Sequence, residues 1–201
     1  MNPREGSLED PQVDSSVSPL PHLEAKICQT HSHAHLLSKY AEQLLQEYVQ
    51  HQGDPFGMPG FSPPRLPAVA GLSSPVTGHA GLPVPERLRL DAAALQALSP
   101  LLDTVRRHQV ELNPRAVRLL RRLEDAARQA RALGAALEVV LVALGAEPRE
   151  APESPAADPT DSAPASVFSA KVLGLQVCRL FREWVSRTEA DLRPLVPGGP
   201  A

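Results

Sequence analysis

The fold is decided by a proline-free stretch at residues 115–145, which reads RAVRLLRRLEDAARQARALGAALEVVLVALG. Its apolar residues recur every three or four positions, the period of an α-helix with one buried face. Asn113 and Pro114 precede it as a typical helix start, and Gly145 and Pro148 follow as a typical stop. The predicted buried face comprises Ala116, Leu120, Leu123, Ala127, Ala130, Gly134, Leu137, Leu141 and Leu144.

Prolines divide the chain into four stretches of this kind. The 22 prolines cluster near the N-terminus, within the two long connections and after residue 192. Because a proline inside a helix costs about 3 kcal/mol, long helices are confined to the segments between these clusters. Pro100 is an exception within the second segment, and we expect it to kink that helix or tighten one turn. We predict helices at about residues 21–51, 86–111, 114–145 and 166–191, a flexible tail at 1–18 and a C-terminal tail at 192–201.

The composition agrees with one helical domain. Of the 201 residues, 42% are hydrophobic but only 3% are aromatic, and the abundant Leu and Ala favour helix over strand. The formal charge of -3 gives no indication of nucleic-acid binding. Since no apolar run approaches the roughly 20 residues that cross a bilayer, we expect no membrane insertion. Residues 1–21 also lack the basic and apolar blocks of a conventional signal peptide.

The lengths of the connections predict the topology. Only about three residues separate the second and third helices, so these two must run antiparallel. The connections at residues 52–85 and 146–165 can each span a helix of about 45 Å, because extended chain covers about 3.3 Å per residue. Long, short and long connections are typical of an up-up-down-down four-helix bundle, so we predict an all-α fold with that topology.

Five segments of the sequence are similar to segments of a known family. They are residues 6–11 (GSLEDP), 39–49 (KYAEQLLQEYV), 53–56 (GDPF), 112–114 (LNP) and 121–134 (RRLEDAARQARALG). Because these segments are specific and run along nearly the whole chain, the protein is identified as a member of the interleukin-6 family of long-chain helical cytokines. The resemblance implies a single cytokine domain with long first and third loops.

The resemblance also implies a function and partners. The protein would be an extracellular ligand that joins glycoprotein 130 and the leukaemia inhibitory factor receptor, and so activates Janus kinases and STAT transcription factors. It would promote growth and survival of cells such as cardiac muscle cells and neurons. We expect a monomer before receptor binding, with no cofactor and no enzymatic activity, secreted to the extracellular space without a conventional signal peptide.

The start of the fourth helix is the candidate site for the leukaemia inhibitory factor receptor. Family members that engage this receptor share a Phe-x-x-Lys motif there, which corresponds to Phe168 and Lys171. Residues three apart lie on one helix face, so the motif places an aromatic ring near a cation. An aromatic anchor is a common centre of binding energy in protein interfaces. By itself the motif is also compatible with a ring that covers the core and a solvated lysine.

The outer faces of the first and third helices are the candidate site for glycoprotein 130. Counting from the GDPF and LNP segments places the family's contact positions at residues on these two faces. The small side chains on the third helix would let a receptor approach its backbone closely, although alanine-rich faces are also common in helices without a partner. The residues are Gln29, Ser32 and Leu36 on the first helix and Ala132, Ala135 and Ala136 on the third.

Histidines near the start of the first helix suggest a metal site, but an incomplete one. His31 and His35 lie on one helix face at a spacing that can chelate zinc, whereas His33 points away, and His22 lies one turn or more before them. No carboxylate or cysteine completes the ligand set. We therefore interpret them as surface histidines and predict no metal centre.

The second and third helices carry a basic cluster. We interpret it first as a solvated helix face, since no aromatic residues interleave for base stacking, and second as a site for a polyanion such as glycosaminoglycan. The cluster comprises Arg106, Arg107, Arg115, Arg118, Arg121, Arg122, Arg128 and Arg131, with Glu111, Glu124 and Asp125 as the acidic residues among them.

The two cysteines, Cys28 and Cys178, lie on the first and fourth helices. Antiparallel pairing would place Cys28 opposite about residue 185, some 10 Å along the axis from Cys178. A disulfide requires Cα atoms within about 7 Å, so we predict two free thiols. Free thiols and the missing signal peptide leave an intracellular adaptor bundle as the alternative function.

Overall fold

The computed structural model describes residues 19–63, 69, 71–147 and 166–198. They form four helices: α1 (Pro19–Gln52), α2 (Val84–Leu112), α3 (Val117–Ala143) and α4 (Val167–Leu192). Short 3₁₀ turns lie before α2 at His79–Gly81 and after α4 at Arg193–Leu195. The described residues contain no β-strand. The predicted all-α fold is confirmed. The predicted flexible tail at 1–18, and most of the second long connection, lie outside the described residues.

Contacts between helix ends give the direction of each helix. His35, at the middle of α1, bonds Glu189 near the end of α4 at 2.8 Å, and Tyr48, near the end of α1, bonds Lys171 near the start of α4. The two helices are therefore antiparallel. Gln52 and Gln109, near the ends of α1 and α2, bond at 3.0 Å, so these two helices point the same way. Because α3 follows α2 after a short turn, it returns antiparallel to α2. The topology is up-up-down-down.

The turn between α2 and α3 differs from the prediction. Asn113 caps the end of α2, where its backbone N–H and its side-chain amide both donate to Gln109 at 2.8 Å. A further turn bond joins Ala116 N–H to the Asn113 carbonyl at 3.0 Å. The third helix therefore begins at Val117 rather than at Pro114, because Asn113 terminates one helix instead of starting the next.

The other predicted helix ends have the expected chemistry. Gly53 and Gly145 follow α1 and α3 with φ angles of 74° and 77°, a conformation that glycine adopts without strain. At the start of α4, the Ser166 hydroxyl accepts the Ser169 backbone N–H at 3.0 Å, a helix N-cap. Pro100 lies within α2 and does not interrupt it.

The core lies along the predicted stripes of the helices, with a difference on α3. Seven of the nine positions predicted for this face are buried, whereas Leu120 and Leu144 are only half-buried, and Leu119 is fully buried in place of Leu120. The buried face of α3 is broad because α1 and α2 both pack on it. None of the described helices is long and apolar enough to cross a membrane.

Both cysteines are free thiols, as predicted, but the register differs. Since His35 lies beside Glu189, the same antiparallel register places Cys28 opposite the residues that follow α4 rather than opposite residue 185. Cys178 is fully buried, and burial raises the pKa of its thiol to about 12. A thiol that stays protonated is a poor nucleophile.

One close contact packs the start of α4 against the end of α1. The Tyr48 ring lies against Gly174, and its hydroxyl donates to the Lys171 carbonyl at 2.8 Å. A Cβ atom at position 174 would overlap the Tyr48 hydroxyl. Burial raises the pKa of Tyr48 far above its ordinary value, so the phenol stays a hydrogen-bond donor.

Polar groups fasten the first long connection to the bundle. Trp184 Nε1 donates to the Ser73 carbonyl at 2.9 Å, and the buried His79 ring lies 2.6 Å from Asp191. Asp91, about two turns inside α2, is fully buried beside them. Burial and the neighbouring Asp191 carboxylate hold the pKa of Asp91 well above its ordinary value. The raised pKa favours the neutral, protonated form of Asp91.

We expect Gly174→Ala to lower the free energy of unfolding by about 1–3 kcal/mol or more, because the new methyl group displaces Tyr48 and breaks its bond to Lys171. Gly134→Ala is the matched control. Its Cβ would meet neighbours at 3.5 Å or more, and alanine favours helix by about 0.5–1 kcal/mol. Denaturant unfolding measures both variants. Equal stability of the two would contradict the close contact.

We expect Asp91→Asn to stabilise the protein increasingly as pH rises from 5 to 8. The folded pKa of Asp91 is raised, so its contribution is complete below the ordinary carboxyl pKa and is lost as pH rises toward the folded value. Asparagine keeps the shape but carries no titrating proton. The measurement is the difference in melting temperature between variant and parent across pH, with Asp103→Asn as a half-exposed control. A difference independent of pH would refute the assignment.

Candidate functional site

At the predicted Phe168 site, an exposed ring packs against other aromatic side chains. Phe168 remains 44% exposed, and its ring lies 5.7 Å from the ring of Phe56. Phe56 is buried and packs edge-on against Phe61 at 5.3 Å. The segment that follows α1 therefore supports the first turn of α4. Val167 and Met58 are also more than half exposed at this end of the bundle.

Lys171 makes a contact that the sequence did not indicate. Its Nζ donates to the carbonyl oxygen of Gln52 at 2.7 Å, so the ammonium group caps the last turn of α1. A cation is favourable at that position because the carbonyls there are unpaired and the helix dipole is negative. The Lys171 side chain is half-buried, so the structure brings Phe168 and Lys171 together on one end but leaves the ring as the more accessible group.

A buried polar network fixes the geometry of this end. Gln109 donates to the Gln52 side chain at 3.2 Å and lies 3.4 Å from the Tyr48 hydroxyl, which in turn bonds the backbone of Lys171. The ends of α1 and α2 and the start of α4 are thereby joined. Because each polar group is buried and paired, the network holds the first turn of α4 in one position.

The six residues predicted on α1 and α3 lie on one outer surface, which we term the α1/α3 face. Gln29, Ser32, Leu36, Ala132 and Ala135 are exposed, and Ala136 is half-buried. His33 of α1 and Gln129 of α3 bond across the groove between the helices at 2.7 Å. The two sets of residues therefore flank a common contact rather than lying on separate sides.

The apolar part of the α1/α3 face is larger than predicted. Leu36 is 66% exposed, and Val139 and Val142 on α3 are 51% and 59% exposed. Val139 lies one turn after Ala135 and Ala136, so the aliphatic surface continues along the outer side of α3. The sequence analysis did not identify these valines as part of the face. The available signal was that Val139 and Val142 lie outside the predicted buried stripe of α3.

The basic cluster is partly neutralised by residues from other helices. Glu47 of α1 bonds Arg118 at 3.6 Å and also pairs with Arg122, whose guanidinium lies 5.2 Å from the centre of the Tyr40 ring. Arg131 reaches Asp103 of α2 at 3.9 Å. These partners lie far away in sequence, so the run of arginines overstated the positive charge of the surface.

The α1 histidines make contacts between helices. His33 bonds Gln129 of α3, and His35 bonds Glu189 of α4.

The structure also assembles a buried group that sequence reasoning missed, His79, Asp91 and Asp191. These three residues come from the first connection, α2 and α4, and no local spacing links them.

Comparison with known proteins gives the relationship of the chain. It is 74% identical to cardiotrophin-1 of Homo sapiens and 70% identical to cardiotrophin-1 of Rattus norvegicus, in each case over the full length of both chains. Cardiotrophin-2 of Mus musculus is a more distant relative, 36% identical over 83% of this chain and 81% of its own. No family model and no solved structure matches the chain. The chain therefore belongs to the cardiotrophin family, whose members are helical cytokines and not enzymes.

Proposed function

We propose that this cytokine bridges two receptor chains, glycoprotein 130 and the leukaemia inhibitory factor receptor, and thereby activates Janus kinase and STAT signalling. The observation that carries the proposal is the presence of two separate exposed apolar surfaces on one bundle. Leu36 on the α1/α3 face and Gln52 beneath Lys171 are about 24 Å apart along α1. Two receptor domains could thus bind at once without occupying the same surface.

The Phe168 end is proposed for the leukaemia inhibitory factor receptor. Its exposed ring is held by Phe56 below and by the capped turn at Lys171, so little side-chain entropy is lost when a partner covers it. The surrounding apolar side chains can exclude water from the contact. Lys171 would contribute mainly by positioning the turn, with the outer part of its side chain available to the receptor.

The α1/α3 face is proposed for glycoprotein 130. Its alanines and valines form a flat aliphatic surface on α3, and Gln29 and Ser32 supply exposed hydrogen-bonding groups on α1. A centre of small apolar side chains with a polar margin is the usual anatomy of a protein interface. The protein would act outside the cell on cells that carry both receptors.

We expect Phe168→Ala to weaken binding to the leukaemia inhibitory factor receptor by at least about 2 kcal/mol, roughly 30-fold, with unchanged affinity for glycoprotein 130. Val167→Ala is the matched control, since Val167 is also exposed and adjacent. Lys171→Met removes the cap on α1 and should lower both the melting temperature and the affinity. Surface plasmon resonance gives the affinities. Full binding by Phe168→Ala would exclude this end as the site.

We expect Ala132→Glu with Ala135→Glu to reduce binding to glycoprotein 130 by about tenfold or more, because two charges would be buried without partners in the interface. Binding to the second receptor should not change. Val110→Glu is the control, because Val110 is 44% exposed on α2, away from the α1/α3 face. If glycoprotein 130 binds both variants equally well, the α1/α3 face is not its site.

The bridging function is tested with the purified protein and both receptor ectodomains. The parent protein should form a three-component complex in a mixing experiment and raise STAT phosphorylation when it is added to receptor-bearing cells. Each interface variant should keep one receptor and lose signalling. An intracellular adaptor would leave STAT phosphorylation unchanged when added from outside, and competition between the two receptors for the parent protein would contradict bridging.

A further inference from the structure

A buried group of metal-ligating side chains lies where the first long connection crosses α2 and α4. His79 Nε2 lies 2.6 Å from Asp191 Oδ2 and 3.8 Å from Asp91 Oδ1. One ligand atom from each of the three residues lies within 4.8 Å of the others. All three side chains are essentially inaccessible to solvent. This group is remote in sequence and in chemistry from the two proposed receptor surfaces.

Asp91 is the observation that points to a ligand. Both of its carboxylate oxygens are buried and have no hydrogen-bond partner among the described residues, although one faces the imidazole of His79. A buried polar group without a partner costs about 1–3 kcal/mol, so native proteins rarely keep one without a role.

Arg87 orients the Asp191 carboxylate so that its other oxygen, Oδ2, points toward His79. Arg87 Nη1 bonds Oδ1 at 2.9 Å, whereas Oδ2 faces His79. A ligating carboxylate in a metal site is commonly held by a second group in this manner. Arg187 also lies 3.7 Å from Oδ2, so two cations already face Asp191. Their positive charge limits the affinity that a further cation can reach.

One member of the group, His79, lies at the edge of a surface groove. The groove, of about 310 Å³, lies between the first connection and α2, and His79 and Trp184 line it together with Leu72 and Val76. The Trp184 ring packs edge-on to His79 at 6.0 Å.

We propose that His79, Asp91 and Asp191 form a binding site for a divalent transition-metal ion, with Zn²⁺ as the best match. One imidazole nitrogen and two carboxylate oxygens suit zinc, whereas calcium and magnesium favour oxygen ligands alone. On binding, the ion displaces the proton in the 2.6 Å hydrogen bond between His79 Nε2 and Asp191 Oδ2, and this proton moves to His79 Nδ1 or to solvent. The proton on Asp91 is released to solvent in the same step, and His79 binds through Nε2. The bound ion ties the first connection to α2 and α4.

The affinity should be moderate and dependent on pH. Arg87 and Arg187 repel the ion, so binding is expected to be weaker than in structural zinc sites that lack nearby cations. Because an imidazole and two carboxylates must be deprotonated to bind a metal ion, binding should weaken as pH falls. The ion binds the folded chain, so it should raise the melting temperature in proportion to its concentration.

The test uses Zn²⁺ titrated into the full chain at pH 7.5, followed by calorimetry and melting temperature. His31→Gln with His35→Gln serves as the background, since these exposed or half-buried residues share a helix face and are a competing source of binding. In this background we expect one Zn²⁺ per chain and a raised melting temperature. Asp91→Asn, which keeps the shape of the side chain, should weaken binding by about tenfold or more, and Asp103→Asn should not.

His79→Gln should lose binding as well, provided that helical circular dichroism is unchanged. Co²⁺ in place of Zn²⁺ supplies a spectroscopic readout, because its visible absorption reports ligands bound in the protein. The proposal is overturned if Zn²⁺ binding disappears in the His31 and His35 background, or if Asp91→Asn binds Zn²⁺ as the parent does. Receptor binding is measured separately, so failure here leaves the bridging proposal intact.

Discussion

The close approach of Tyr48 to Gly174 is the contact on which the arrangement of the two proposed surfaces depends. Only a residue without a side chain lets the phenol reach the Lys171 carbonyl at 2.8 Å. That bond joins the last turns of α1 to the first turns of α4, and Lys171 closes the same junction by capping α1. The distance and angle between the Phe168 end and the α1/α3 face follow from this junction, because both surfaces are built partly on α1.

The Phe168 end illustrates how a binding surface is prepared before a partner arrives. The exposed ring does not stand alone, because Phe56 and Phe61 support it from the segment after α1. The polar network at Gln109 holds the same turn from the other side. A side chain that is exposed but already ordered loses less entropy on binding. The same reasoning applies to the α1/α3 face, whose alanines lose almost no rotamer freedom.

The first long connection is ordered by polar contacts rather than by a large apolar surface. Its bonds to α4 run through Trp184 and through His79 with Asp191. Burying charged groups is costly unless they are paired, and here Arg87 and Arg187 supply the opposite charges. Asp91 has no hydrogen-bond partner among the described residues, so its burial costs free energy that depends on what occupies the site. The stability of this connection is thus linked to protons and, under our proposal, to a metal ion.

Much of the fold could be predicted from the sequence because local signals are strong. Clustered prolines and the glycines at 53 and 145 separate the helices, the apolar period places most of the core, and the lengths of the connections predict the topology. The motif at Phe168 and the small residues of α3 could be located in the same way. Local signals failed where packing decides: Asn113 ends α2 because its amide meets Gln109, and Leu119 is buried because two helices cover α3.

The sequence by itself determined the number, the length and the order of the helices, since these depend on residues close together in the chain. Only the tertiary structure decided which charges are neutralised, as when Glu47 of α1 pairs with Arg122 of α3, and which side chains meet at His79. Such groups come from distant segments. Their burial, partners and protonation arise only when the helices pack, because electrostatic and hydrogen-bond energies depend on distance in space and not on separation along the chain.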